Sequence, residues 1–154
     1  MKKEYREGVG AVILNNAGLV FIAKRIDTAD TWQMPQGGLE KNEVHKVALM
    51  RELKEEIGTN NFKIINQIND LIYDLPIDIA KTLWSGKYSG QRQTWFFLEF
   101  LGNDEEFNLN FMPKPEFSEW KWVYYQDLVD IIVFFKKSLY QTVVDFGIKN
   151  KIFY

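Results

Sequence analysis

Apolar positions along the chain change rhythm several times, and each change predicts an element. VGAVIL (9–14) and LVFIAK (19–24) are nearly continuous apolar runs joined by NNAG, a turn signal, and they predict a β-hairpin. TWQMPQGG (31–38) predicts a strand end running into a loop. The spacing then turns helical from about Glu43 to Ile57, with Asn42 as N-cap and Gly58 just past the C-terminus. On a wheel, Val47, Met50, Leu53 and Ile57 share one side, the expected core face. FKIINQINDLIYDL (62–75) reads as extended, and 76–90 reads as a long loop. QTWFFLEFL (93–101), rich in aromatics, is the strongest strand. An acidic loop (102–107), a short alternating strand (119–125) and a helix from Gln126 to about Phe146 complete the chain. Within that helix Phe134 is expected in the core. Helices mixed irregularly with strands indicate an α+β or mixed α/β fold.

The 154 residues suit one domain, and their apolar content is too high for disorder. A net charge of −2 argues against a protein that coats nucleic acid or a DNA duplex, although a local anion site remains compatible with it. With no cysteine, disulfides and thiolate metal sites are excluded. The apolar run 9–14 is too short for a signal-peptide core, and no segment has the length of a membrane span. The expectation is a cytoplasmic protein without membrane partners.

Candidate chemistry concentrates in RELKEEIG (51–58). Glu52, Glu55 and Glu56 gather on one side of the predicted helix, opposite the expected core face. They sit at a helix C-terminus, where carboxylates are disfavoured, and Glu52 and Glu56 repel each other across one turn. Two readings fit: a solvated acidic face softened by Lys54, or a site for a hard cation such as Mg²⁺ or Mn²⁺, which prefers carboxylate oxygen and leaves positions for substrate phosphates. A cation would cancel the repulsion, so cations are expected to stabilise this helix end. His45 is expected to be merely exposed.

The loop before the helix separates these readings. Gly37, five residues, Glu43, seven residues, then Arg51-Glu52-Leu53-Lys54-Glu55-Glu56-Ile57-Gly58 is the Nudix box, so the chain resembles the Nudix hydrolases. Only Thr59 departs, at a position usually aliphatic. The resemblance implies one Nudix domain over 1–154, an α/β/α sandwich around a central mixed β-sheet, with the box as loop–helix–loop. It implies Glu52, Glu55 and Glu56 as metal ligands, and Arg51, Glu43, Gly37 and Gly58 as parts that shape the box. The cofactor would be Mg²⁺, Mn²⁺ or Zn²⁺.

EYREGVGAVILN, WQMPQGG, YDLP (73–76), GQRQTWF (90–96) and PEFSEWKWV (115–123) follow the order found in the RNA 5′-pyrophosphohydrolases and the similar dinucleoside polyphosphate hydrolases, some called invasion protein A. That resemblance runs from about Tyr5 to Tyr140. It implies Glu116 as a further carboxylate near the metals. Arg6, Gln33, Gly37, Gln91 and Arg92 would meet the phosphate chain, Tyr73 would stand near the phosphates or a base, and Phe135 would stack on a base. The implied reaction is attack of a metal-activated water on phosphorus, with Glu56 or Glu55 as general base. It would turn a 5′-triphosphate RNA end into a 5′-monophosphate, a step that promotes mRNA decay. Cleavage of diadenosine polyphosphates is the alternative. A non-catalytic nucleotide sensor is disfavoured, because Arg51, Glu52, Glu55 and Glu56 are all present.

Overall fold

A computed structural model describes residues 3–154. Its strands are β1 (Tyr5–Leu14), β2 (Val20–Arg25), β3 (Trp32–Gln33), β4 (Gln36–Gly38), β5 (Phe62–Asp74), β6 (Gly90–Phe100) and β7 (Phe117–Val123). Its α-helices are α1 (His45–Ile57), α2 (Ile77–Ala80), α3 (Leu128–Ile131) and α4 (Lys137–Lys149). The sheet is mixed, in the order β3-β2-β1-β6-β5, with β4 also paired to β1 and β7 to β2. At its centre β1 and β6 run parallel from Tyr5↔Gly90 to Leu14↔Glu99, and every other pairing is antiparallel.

Both faces of the sheet are covered, which explains why its central strands read as unbroken apolar runs. Alternate side chains serve different layers. Val9, Ala11, Ile13, Phe96 and Leu98 pack against Ala48, Leu49, Leu53 and Ile57 of α1. Val12, Leu14, Trp95 and Phe97 pack with Leu128 of α3 and Leu139, Tyr140, Val143 and Val144 of α4. The result is the expected α/β/α sandwich.

Several local expectations are corrected. The hairpin pairs only at Leu14↔Val20, because β2 then diverges to pair with β7 and β3. Helix α1 starts at His45 with Val44 as N-cap, and Asn42 instead sits in a left-handed turn at φ 64°. Gly58 does close the helix, at φ 80°, its N–H donating to the Lys54 carbonyl. The core face of α1 is turned from the one expected: Val47 is 56% exposed, while Ala48, Leu49 and Glu56 are buried. The buried arc from Ala48 to Ile57 passes through Glu52 and Glu56, so these carboxylates look toward the sheet rather than toward solvent.

The predicted long C-terminal helix is broken. Ile132 and Val133 are extended (ψ 150° and 144°), and a 3₁₀ turn at Phe134–Lys136 leads into α4. An extended pair of β-branched residues alternates its side chains. Ile132 is buried, but the chain turns into the 3₁₀ segment directly after Val133, so Phe134, expected in the core, does not follow it inward and is 71% exposed. The 76–90 segment is also no plain loop, since it carries α2 and a 3₁₀ turn at Leu83–Gly86. Thr59 is buried, but its hydroxyl accepts the Asn61 N–H (3.1 Å) and donates to Glu106 (3.3 Å), so a polar side chain is satisfied there.

Candidate active site

A cavity of about 500 Å³ opens between α1, the sheet, the 76–90 segment and the 3₁₀ turn before α4. Strand register builds one wall. Arg6 on β1 pairs with Gln91 on β6, and Gln91 pairs with Tyr73 on β5, so three neighbouring strands set these residues in a row. All three line the cavity. Gln91 donates from Nε2 to the Tyr73 hydroxyl, which Gln36 Nε2 also approaches at 3.4 Å. Tyr73 is buried, and its ring lies 6.1 Å from that of Phe135 at 33°.

The carboxylates come from α1 and from the loop before β7: Glu52, Glu56 and Glu116 all line the cavity. Burial pushes the Glu56 carboxyl well above the ordinary range, reinforced by repulsion from Glu52 and Glu116. Burial also raises Glu52, opposed by hydrogen bonds with Glu56 and by Arg51. Gly37 permits the close packing here, because a Cβ on it would stand 2.1 Å from the Glu52 carboxyl carbon.

Arg51 organises the box. Its guanidinium donates to both oxygens of Glu43 at 2.8 Å, to the Gly38 carbonyl at 2.9 Å, to Glu52 at 3.1 Å and to Glu55 at 3.3 Å. This fork, with the Glu40 N–H, holds the Glu43 carboxyl down to about 2. Loop and helix are thus tied through one side chain. Arg51→Lys keeps the charge but not the fork. It is expected to lower turnover about 10–100-fold, as loss of a ligand-orienting partner typically does. Steady-state kinetics beside a thermal melt would check this, and an unchanged kcat would count against it.

Two expected site residues lie elsewhere. Arg92 follows Gln91 in β6 and therefore points to the opposite face, where it meets Glu7 at 3.4 Å. Glu55 is not on the cavity wall and is held by Arg51. His45 pairs with Glu7 at 3.5 Å, away from the cavity. Gln33 and Phe135 do line the cavity, as does Gly37.

The cavity also gathers residues not singled out from the sequence. Arg25 is chelated by Asp27 and donates to Gln33 Oε1 at 3.3 Å. Strand parity pointed to it, since Arg25 lies on the same face as buried Ala23. Lys136 is only 5% exposed, donates to Gln36 Oε1 at 3.3 Å and stands 5.4 Å from the Tyr73 ring centroid. Burial, with repulsion from Arg25, lowers its pKa to about 8. Trp84 from the 76–90 segment completes the wall.

Among the described residues, no three acidic or imidazole groups converge on one point in their present rotamers. The donor chemistry nevertheless fits a hard cation, because Glu56 Oε2 is buried without any hydrogen-bond partner and the other carboxylates sit across the same cavity. Cations on one wall and carboxylates on another suit a phosphate chain bound through a bridging divalent ion.

Comparison with known proteins agrees. The chain is 48% identical to an RNA pyrophosphohydrolase of Zymomonas mobilis, over 92% of this chain and 93% of that protein. It is 45% identical to one of Wolbachia from Drosophila simulans, over 94% and 90%. In fold it is similar to the Escherichia coli dihydroneopterin triphosphate pyrophosphohydrolase, with TM-score 0.71, 19% identity and coverage of 92% and 98%. A Caenorhabditis elegans Ap4A hydrolase matches with TM-score 0.66, 22% identity and coverage of 92% and 96%. The NUDIX domain matches residues 4–143, and hydrolases of this family generally use divalent metals. The chain belongs to the Nudix family.

Proposed function

We propose that this Nudix hydrolase removes pyrophosphate from the 5′-triphosphate end of RNA, leaving a 5′-monophosphate. Its curated relatives at 44–48% identity over most of the chain are named RNA pyrophosphohydrolases. The observation that carries the reading is a single cavity holding three carboxylates, three cationic side chains and an aromatic pair. Such a cavity fits a charged chain that ends in a base.

Glu52, Glu56 and Glu116 are the residues that would hold a divalent ion, with Glu55 beside them. Mg²⁺ or Mn²⁺ bound there would supply charge neutralisation at phosphate oxygens and acidify water. Glu56 is the favoured general base over Glu55. It is buried on the cavity wall with a free oxygen, whereas Glu55 is committed to Arg51. The water attacks the β-phosphorus in line, the bridge to the α-phosphate breaks, and that oxygen leaves on the RNA. Arg6, Arg25 and Lys136 stabilise charge on the phosphate oxygens. Phe135 beside Tyr73 offers an aromatic surface to a base.

Product analysis with γ- and β-labelled 5′-triphosphate RNA and Mg²⁺ tests this. Both labels should leave together as pyrophosphate, and release of single phosphate would contradict the mechanism. Competition with diadenosine tetraphosphate separates the two substrate classes. The net charge of −2 supports a grip confined to the triphosphate and first one or two nucleotides, so affinity should not climb with RNA length.

Cation binding should also stabilise the fold. At about a hundred times its Kd, an ion contributes about 2.7 kcal/mol, or roughly 5–10 °C in Tm for a chain this size. Glu52→Gln should reduce that gain in a melt with and without Mg²⁺. An undiminished gain would remove Glu52 from the ligand set.

A further inference from the structure

We infer that Trp84 is a positioning residue for Arg6, holding its guanidinium at the cavity wall for the phosphate chain. The inference rests on the reading above, in which Arg6 meets phosphate, and it assigns the 76–90 segment a part in binding the phosphate chain.

Arg6 is held unlike the other arginines of the region. Arg25 is tied to Asp27, Arg51 to Glu43, and Arg92 to Glu7. Arg6 has no carboxylate in ion-pair range among the described residues. What it has is shape. A Cβ at Gly38 would stand 2.0 Å from Arg6 Nη2, so the guanidinium occupies the space that a side chain would fill. The indole of Trp84 lies 4.8 Å from the guanidinium carbon, a cation–π contact. An arginine fixed by a ring and a glycine keeps its donors and its full charge for an incoming anion. One fixed by a carboxylate, as Arg25 is by Asp27, has fewer donors left and part of its charge already offset.

The backbone beneath Trp84 is unusual enough to need a reason. Trp84 (φ 51°), Ser85 (φ 58°) and Gly86 (φ 73°) are all left-handed. An aromatic residue rarely adopts that conformation. Such outliers persist where surrounding structure holds them, and they cluster at functional sites. Here the segment is fastened at its base: the Leu75 N–H donates to Ser89 (2.8 Å) and the Ser89 N–H to Glu4 (2.7 Å). Gly86 is needed at the turn, because a Cβ there would meet the Lys81 carbonyl at 2.8 Å. The strap thus delivers one half-buried ring to the cavity wall, against Arg6.

The test is a double-mutant cycle on triphosphorylated RNA with Mg²⁺, reading KM and kcat separately beside a thermal melt. Trp84→Ala is expected to raise KM about 3- to 30-fold, the range of a cation–π contact, with kcat within about twofold. Trp84→Phe should recover most of that loss. The double variant Trp84→Ala/Arg6→Ala should be no worse than Arg6→Ala alone, since the ring acts only through the guanidinium. Additive losses, or a Trp84→Ala effect confined to kcat, would overturn the assignment. If Arg6→Ala leaves KM at the wild-type value, the phosphate contact of Arg6 is wrong, and the positioning role falls with it. That outcome is separate from failure of the hydrolase reading, in which the wild type itself shows no turnover.

Discussion

Glu56→Gln is expected to lower Mg²⁺-dependent hydrolysis by about a thousandfold while the protein stays folded. General-base catalysis alone is worth about 10²–10⁴-fold, and the same carboxylate is a proposed ion ligand. Glutamine keeps the shape and removes both roles. The substitution should also show what the carboxylate costs the ion-free protein. Burial, then repulsion from Glu52 and Glu116, raises the folded-state pKa well above the usual 4.5. The folded protein therefore holds more protons than the unfolded chain from about pH 4.5 up to that raised value. Stability contributed by protonated Glu56 is full at the acid end of this window and is lost as pH rises through it. In EDTA, denaturant midpoints should fall with rising pH in the wild type and fall less in Glu56→Gln. Near-normal turnover in the variant would move the base to Glu55, and parallel midpoint curves would show that Glu56 is not a strained buried acid.

Lys136→Met carries the second large effect. The lysine is buried without a carboxylate partner among the described residues, and it faces the cavity. A hydrogen bond to a charged group is worth about 1.5–3 kcal/mol, so KM for triphosphorylated RNA should rise about 10–100-fold at pH 7. Its pKa, lowered to about 8 by burial and by Arg25, sets the pH dependence. Below about pH 8 the ammonium is present and KM should be flat. Above it, the proton must be restored on binding and KM should climb. Methionine abolishes that climb while leaving any pH effect on kcat. The stability sign follows from the same shift. The folded pKa lies below the unfolded 10.5, so the unfolded chain holds the extra proton between about pH 8 and 10.5, and stability rises with pH there. The variant should lack that rise. A KM that climbs equally in both proteins would assign the titration to another group.

Much of this site was legible because the box fixes residue type and spacing together. Gly37, Glu43, Arg51, Glu52 and Glu56 were all expected in their region, and the cradle at Gly37 and the Arg51 fork supply physical reasons for that spacing. The apolar runs of β1 and β6 announced central strands. Orientation was harder. Counting Val47 as core but not Ala48 or Leu49 turned the wheel of α1 and sent Glu56 outward, whereas the packed helix buries it. Gln91 and Arg92 were both assigned to the phosphate path, although consecutive strand residues face opposite ways. Lys136 was hidden by the helical reading of 131–137, since only the extended Ile132–Val133 step turns Phe135 and Lys136 inward. Trp84 carried no signal in local pattern, because its place depends on a left-handed turn meeting a distant arginine.

The parallel pairing of β1 with β6 has a consequence for how the protein is made. Arg6 finds Gln91 across 85 positions of chain, and that loop must close before any of its contacts repay the entropy. The whole box, from Gly37 to Gly58, lies inside the loop. On a translating ribosome, the carboxylates of α1 therefore exist for a time without the wall that faces them. At about 5–20 residues per second, the chain from the end of α1 to the end of β6 takes seconds to emerge. During synthesis, hydrolysis cannot begin before β6, Glu116 and Lys136 have all left the exit tunnel, so nascent chains should be inert toward RNA ends until nearly nine-tenths of the chain is outside the ribosome.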